Sequence, residues 1–249
     1  MIIYKKENHT AVITLNRPEK RNALNPELIS ELKKSLTEAE TDSEVKILVI
    51  TGNGKAFCAG ADLAYLNELR NYSMVENEKD SKNIAELFLS VYNFPKPVIA
   101  AVNGAAVAGG CGLASVCDFI VADQSHAKFG YSEVRIGFLP AIVSVFLINR
   151  IGWSKAQNLM LSAEILDAQS ALNIGLADYL SDDVMHYSLQ LADKLAENSS
   201  ESMRLTKGMF RTIAAMDVDD AVDYCLRLNA ISRSGADFQK GLNKFLSGK

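Results

Sequence analysis

Histidine is scarce in this chain. Only His9, His126 and His186 occur in 249 residues, and each is isolated. Metal sites draw on His, Cys and carboxylates at set spacings, so no metal is expected. The four cysteines, Cys58, Cys111, Cys117 and Cys225, form no CxxC pair and sit among small apolar residues. That is the habit of reduced core thiols in a cytosolic protein. No GxSxG elbow occurs, and no His stands near a Ser or Cys nucleophile, which removes the serine and cysteine hydrolases. The run Thr51-Gly52-Asn53-Gly54-Lys55 lacks the spacing of a phosphate loop and is read as a strand-end turn. No GxGxxG with an acidic residue about twenty positions on supports a dinucleotide enzyme. A net charge of -4 with scattered Lys and Arg leaves no basic footprint, so nucleic acid is not an expected partner. The chain opens directly on a strand-like run and holds no apolar span of bilayer length. We therefore expect no targeting segment, no membrane contact and a cytoplasmic location.

What is present is an ordinary globular composition, 48% hydrophobic and 22% charged, at a length that suits one large domain or a core with an appendage. The chain is organised around Pro95 to Asp118, PKPVIAAVNGAAVAGGCGLASVCD. Val98-Ile99-Ala100-Ala101-Val102 reads as a buried strand, and Leu113 to Cys117 as a short helix. Between them Gly109, Gly110 and Gly112 crowd into four residues, where backbone must come close to something. The glycines alone are explained by a tight turn that packs a helix on a sheet. A second stretch adds to this. Lys55-Ala56-Phe57-Cys58-Ala59-Gly60-Ala61-Asp62-Leu63 follows the strand Val45 to Thr51, and Asp62 is a helix N-cap candidate. The first N–H groups of a helix lack intrahelical partners. Two such turns can each aim one N–H at a single point, forming an oxyanion hole for a carbonyl oxygen that gains negative charge.

FCAGADL (57–63) and AAVNGAAVAGGCGLA (100–114) resemble the two signature stretches of the crotonase, or enoyl-CoA hydratase/isomerase, superfamily. The resemblance runs over nearly the whole chain. It implies an α/β fold: a crotonase-like spiral of ββα turns over residues 1–180, with a C-terminal helical trimerisation tail over 181–249. That tail reads as helices only, near 185–198, 200–214, 218–233 and 237–246, and one carries the apolar stripe Ala221, Cys225, Leu228, Ile231. By the same likeness the oxyanion donors are the N–H groups of Ala61 and Gly109. They hold the thioester oxygen of an acyl-CoA, flanked by Ala59, Gly60, Asp62, Leu66 and Gly110. Arg17, Lys20 and Arg21, in a loop resembling the NRPxxxNAL stretch, approach the CoA phosphates; a solvated basic loop explains each of them equally. Coenzyme A enters as part of the substrate, so no separate cofactor is expected. A homotrimer or a dimer of trimers is implied.

A thioester held in this way still needs a group that moves a proton. Glu133, in FGYSEVRIG (129–137), matches the FGxxE pattern in which the family places a carboxylate facing the substrate α-carbon. Arg135 acts to lower its pKa if close, and Phe129, Phe138 and Leu139 to raise it. At Gly112 the chain departs from the two-carboxylate hydratases, which carry a Glu there. A single carboxylate suits a Δ3,Δ2-enoyl-CoA isomerase. However, FCAGADLAYL, CGLASVCD, SEVRIGFLPAIVS and the tail pattern DYC…RSGADFQKGLNKFL most resemble bacterial methylglutaconyl-CoA hydratases of leucine degradation, which also have Gly at this position. The expected activity is therefore hydration of a 2-enoyl-CoA. An isomerase and a non-catalytic acyl-CoA-binding protein stand as alternatives. Ser115, Ser132 and Ser144 are the polar groups available to hold the attacking water, and a structural role accounts better for each.

Overall fold

The computed structural model describes residues 1–247 of the chain. It opens on an antiparallel hairpin, β1 (Ile2–Glu7) and β2 (Thr10–Leu15), with Asn8 at positive φ in the turn. Helix α1 (Pro26–Thr41) follows. Asn25 Oδ1 accepts from Leu28 N–H, Pro26 sits at the first position, and Leu28, Leu32, Leu36 and Ala39 form the buried stripe. The chain then enters a repeated pattern. β3 (Ile47–Gly52) is succeeded at once by the short β4 (Ala56–Cys58), and helices α2 (Leu63–Leu69) and α3 (Met74–Tyr92) close the turn. The next turn comprises β5 (Val98–Val102), β6 (Ala105–Val107) and α4 (Gly109–Ser115). The third holds β7 (Phe119–Asp123), β8 (Lys128–Gly130), α5 (Ala141–Ile151) and α6 (Trp153–Ser162). β9 (Ile165–Asp167), α7 (Ala168–Ile174) and β10 (Tyr179–Ser181) complete the spiral.

Each turn thus gives one strand to each of two sheets. The six-stranded sheet has the order β1-β2-β3-β5-β7-β10, and the four-stranded one β4-β6-β8-β9. From β2 onward the first sheet is parallel, and its central strands are buried on both faces. This is why β3 and β5 read as continuous apolar runs rather than alternating ones. The main core lies between the sheets and α1, α3, α4 and α5.

The other face of the large sheet is covered by α8 (Val184–Ala196). Its Val184 and Ala192 pack with Val12, Ile47, Val49, Ile99, Ala101 and Val121 in a second buried cluster. A helix placed by the sequence in the tail beyond residue 180 is therefore a layer of the folded core. The packing changes only after it. α9 (Ser200–Ile213), α10 (Val218–Ser234) and α11 (Ala236–Leu246) contain no buried residue. α9 is held to the core by charge: Lys207 pairs with Asp118 and donates to Lys96 O at 2.9 Å, while Arg211 stacks over the Tyr92 ring at 4.4 Å. Among the described residues no helix is long and apolar enough to cross a membrane.

Candidate active site

The segment after β4 shows how one backbone donor is set apart. Of the four N–H groups from Ala59 to Asp62, Ala59 N–H donates to Arg21 O (3.0 Å) and Asp62 N–H to Leu24 O (2.8 Å). Gly60 N–H reaches the Cys58 sulfur. Ala61 N–H alone has no protein acceptor among the described residues. The loop that takes these bonds is itself locked by Asn22, which is fully buried at positive φ. Its amide donates to Asn53 O (2.9 Å) and Ala56 O (2.8 Å), and its Oδ1 accepts from Arg17 N–H (2.8 Å). Sequence reasoning passed over Asn22; its place in the NRPxxxNAL stretch was the available signal.

The second donor arises at α4. Ala108, the N-cap, adopts φ 50° and ψ -127°, a strained conformation for a residue with a Cβ. Ala108 N–H is engaged by Gly130 O at 2.8 Å, and Gly112 N–H returns to Ala108 O at 3.0 Å. Gly109 N–H, at the first helical position, donates to no protein group among the described residues. The two turns touch. A Cβ built on Gly60 would lie 2.9 Å from Ala108 Cβ and 3.3 Å from Gly109 N, and one on Gly109 would lie 3.8 Å from Gly60 Cα. Gly110 allows the same close approach on its other side, since a Cβ there would overlap the Cys58 carbonyl. Two unengaged donors therefore stand on abutting turns at a helix start, an arrangement suited to a developing oxyanion.

Glu133 comes next along the spiral. Gly130 is paired with Val107 in the β6–β8 ladder, so the residues after it run beside the start of α4. Glu133 opens a 3-10 turn ending at Gly137, whose φ of 73° favours glycine. The carboxylate is buried, and Oε2 has no hydrogen-bond partner among the described residues. Burial pushes its carboxyl above the ordinary value. Arg135 does not oppose this, because its guanidinium turns away to donate to Ala163 O at 2.6 Å. A buried, protonatable carboxylate with one oxygen unpartnered suits proton transfer at near-neutral pH.

The structure separates the remaining expected residues. Arg17, expected at the CoA phosphates, points inward: Nη2 pairs with Asp62 Oδ2 at 2.9 Å and Nη1 donates to Ala23 O at 2.7 Å. Both partners are about nine-tenths buried, at 11% and 9% side-chain exposure. Burial opposes ionisation of Asp62, yet Arg17 and the Ala64 N–H outweigh it and hold the carboxyl below its usual range. Asp62 also caps α2 by accepting from Ala64 N–H at 2.9 Å. Lys20 and Arg21 stay exposed on the loop, Ala59 and Leu66 are half-buried, and Gly60 and Gly110 are packing contacts between the turns. At Gly112 the missing side chain has been replaced by a neighbour. A Cβ there would fall inside Val143 Cγ1 of α5, 3.1 Å from Val143 Cβ and 3.4 Å from Phe88 Cζ. Nothing in the local sequence of α4 announced Val143.

The profile of the enoyl-CoA hydratase/isomerase family matches residues 5–248. The chain belongs to that family. A relative from Thermus thermophilus carrying an enoyl-CoA hydratase name is 39% identical over 246 residues, covering 98% of this chain and 97% of its own. The 2,3-dehydroadipyl-CoA hydratase of Escherichia coli is 35% identical over 248 residues, covering 98% and 95%. Among solved structures, an enoyl-CoA hydratase from Shewanella pealeana superposes with a TM-score of 0.95 at 30% identity, over 100% of this chain and 94% of that one. The fold is the crotonase spiral with a helical C-terminal region, and the protein is an enzyme of this family acting on acyl-CoA thioesters.

Proposed function

We propose that the enzyme hydrates a 2-enoyl-CoA with a short, branched or acidic acyl group of the methylglutaconyl-CoA type. The N–H groups of Ala61 and Gly109 hold the thioester oxygen. Water adds its oxygen to C3 while Glu133 takes the proton, and the electron pair of the double bond moves through C2 to the thioester oxygen. Glu133 then returns a proton to C2. The buried, unpartnered Oε2 of Glu133 beside two unengaged N–H donors is the observation that carries the reading. The acidic acyl group follows the likeness in the motif stretches, and the Escherichia coli relative is named for an acyl-CoA with a carboxylate at its far end. Exposed Lys20 and Arg21 are left to meet the CoA phosphates, since Arg17 is committed to Asp62.

The assay is direct. Methylglutaconyl-CoA, crotonyl-CoA and a 3-enoyl-CoA are offered to the purified protein, and the 2-enoyl absorbance is followed. Hydration with methylglutaconyl-CoA ahead of crotonyl-CoA is expected. In Glu133→Gln, kcat should fall by at least about a hundredfold, with KM changed no more than a few-fold. The filled space beside Gly112 favours one other reading. A lone carboxylate suffices to carry a proton between C2 and C4 of a 3-enoyl-CoA, and conversion of that substrate without hydration would establish the isomerase instead.

We further propose a homotrimer, or a dimer of trimers. Val218, Val222, Leu226 and Phe245 are exposed on tail helices that bury nothing within the chain. A cleft of about 830 Å³ between α9 and the core, lined in part by Phe146, Met203 and Phe210, offers a further apolar contact for a second copy. Light scattering at micromolar concentration should give three or six subunits, and a monomer would reject the assembly.

A further inference from the structure

Two buried hydroxyls join the halves of this site and have no part in the reaction as drawn. Tyr131 is fully buried and Ser115 nearly so, and their oxygens lie 3.0 Å apart. Ser115 Oγ donates to Cys111 O at 2.8 Å, one turn back in its own helix. With that proton spent, Ser115 has only lone pairs to offer, so Tyr131 is the donor of the pair. Packing does not account for the hydroxyl, because a Phe ring would fill the same core without needing a partner.

Placement gives the pair its meaning. Ser115 ends α4, the helix that begins at Gly109, and Tyr131 stands two residues before Glu133. Upstream, Gly130 is anchored by the β6–β8 ladder and by the Ala108 N–H. Downstream, Val134 to Leu139 are all exposed. The Glu133 carbonyl accepts from Phe138 N–H at 3.0 Å inside this turn, and Arg135 ties the turn to Ala163 O at 2.6 Å, but no side chain of the turn is buried against the core. The Glu133 Oε2 finds no partner either. Its position is therefore set by the backbone it hangs from, and Tyr131, two residues away, is the nearest fully buried anchor of that backbone.

We propose that Tyr131 and Ser115 are positioning residues, their hydrogen bond holding the segment that carries Glu133 at a fixed offset from the helix that carries the Gly109 N–H. This rests on the reading of Glu133 and Gly109 given above. Misplacing a reacting group by a fraction of an ångström is enough to slow a reaction whose binding is unchanged.

Tyr131→Phe, Ser115→Ala and the double variant test it, with Glu133→Gln run alongside. Each single change should lower kcat by about three- to tenfold, the scale of one buried hydrogen bond, with KM for the acyl-CoA within about twofold. The acid limb of kcat/KM, which reports the ionisation of Glu133, should move to lower pH as a loosened carboxyl reaches water. The double variant should fall well short of the product of the two single losses, since both single changes remove the Tyr131–Ser115 bond, Ser115→Ala also freeing the Cys111 carbonyl. Unchanged kcat, an unmoved acid limb, or losses that multiply in the double variant would each overturn the proposal. Should Tyr131→Phe not fold, Ser115→Ala decides by the same outcomes. If Glu133→Gln keeps the wild-type rate, the site reading itself fails; if it is inactive while Tyr131→Phe is unaffected, only the positioning role does.

Discussion

Replacing Gly112 by Ala should destabilise the protein, although the residue lies in a helix. In an open helix Gly→Ala gains about 1 kcal/mol. Here the new methyl falls inside Val143 Cγ1 and lies 3.1 Å from Val143 Cβ, with Phe88 Cζ at 3.4 Å behind it. Val143 and Phe88 are 5% and 1% exposed, so neither has room to swing out. Overpacking costs about 1–3 kcal/mol. So close an approach between buried groups belongs to the upper part of that range, about 2–3 kcal/mol, which leaves a net loss of roughly 1–2 kcal/mol after the helix gain. At ~2–4 °C per kcal/mol for a chain of this size, thermal unfolding should drop by about 2–8 °C. Val143→Ala removes the obstacle at its own cost, about 0.8 kcal/mol for each lost carbon plus a cavity term. In the double variant the methyl of residue 112 occupies the vacated space. It should be no less stable than Val143→Ala alone, giving a favourable coupling of roughly 1–3 kcal/mol in a double-mutant cycle. Additive losses, or a Gly112→Ala protein as stable as wild type, would refute the packing argument. Gly112→Glu places four more heavy atoms in the same space, so it should lose more stability still and gain no hydratase activity unless Val143 is also reduced.

Two further outcomes follow from the site. The raised carboxyl of Glu133 means that the folded protein ionises it less readily than the unfolded chain. Its ionisation therefore weakens the fold above the folded-state pKa and has no effect below the unfolded value of about 4.3. Glu133→Gln should unfold at a higher temperature than wild type at pH 7, the gap closing as the pH falls toward 4; an equal or lower midpoint at pH 7 would contradict the burial. Arg17→Ala leaves the Asp62 carboxylate buried without its partner and should cost about 3–5 kcal/mol in chemical denaturation. Lys20→Ala should leave stability unchanged and raise KM for the acyl-CoA a few-fold, within the range of a single exposed charge. The reverse pattern would show that Arg17 serves the ligand.

The local signals in the chain determined a good deal. Apolar runs at 47–51 and 98–102, stopped by Gly and Pro, specify doubly buried parallel strands because both faces must be dry. Asn25-Pro26 and Asp62 specify helix starts because capping is a matter of one side chain and the next turn of backbone. The glycines of 109–112 mark close approach for the same reason: a missing Cβ is visible in the sequence. What the sequence does not hold is the partner at each of these places. Arg17 was legible as a cation, but only the fold turns it onto Asp62, 45 residues away, and off the ligand. Gly112 was legible as a missing carboxylate, but only the packing of α5 shows that Val143 fills the gap. Glu133 was legible from its motif, while the direction of its pKa shift depended on where Arg135 pointed and on how much water the fold excludes. The apolar stripe of α8 looked no different from those of the tail, yet the open second face of the sheet claims it and leaves α9 to α11 without a buried residue, Met203 of α9 alone packing at the edge of that cluster among the described residues. Periodicity and capping act over a turn or two of chain, whereas ion pairing, desolvation and packing depend on residues brought together from far along it.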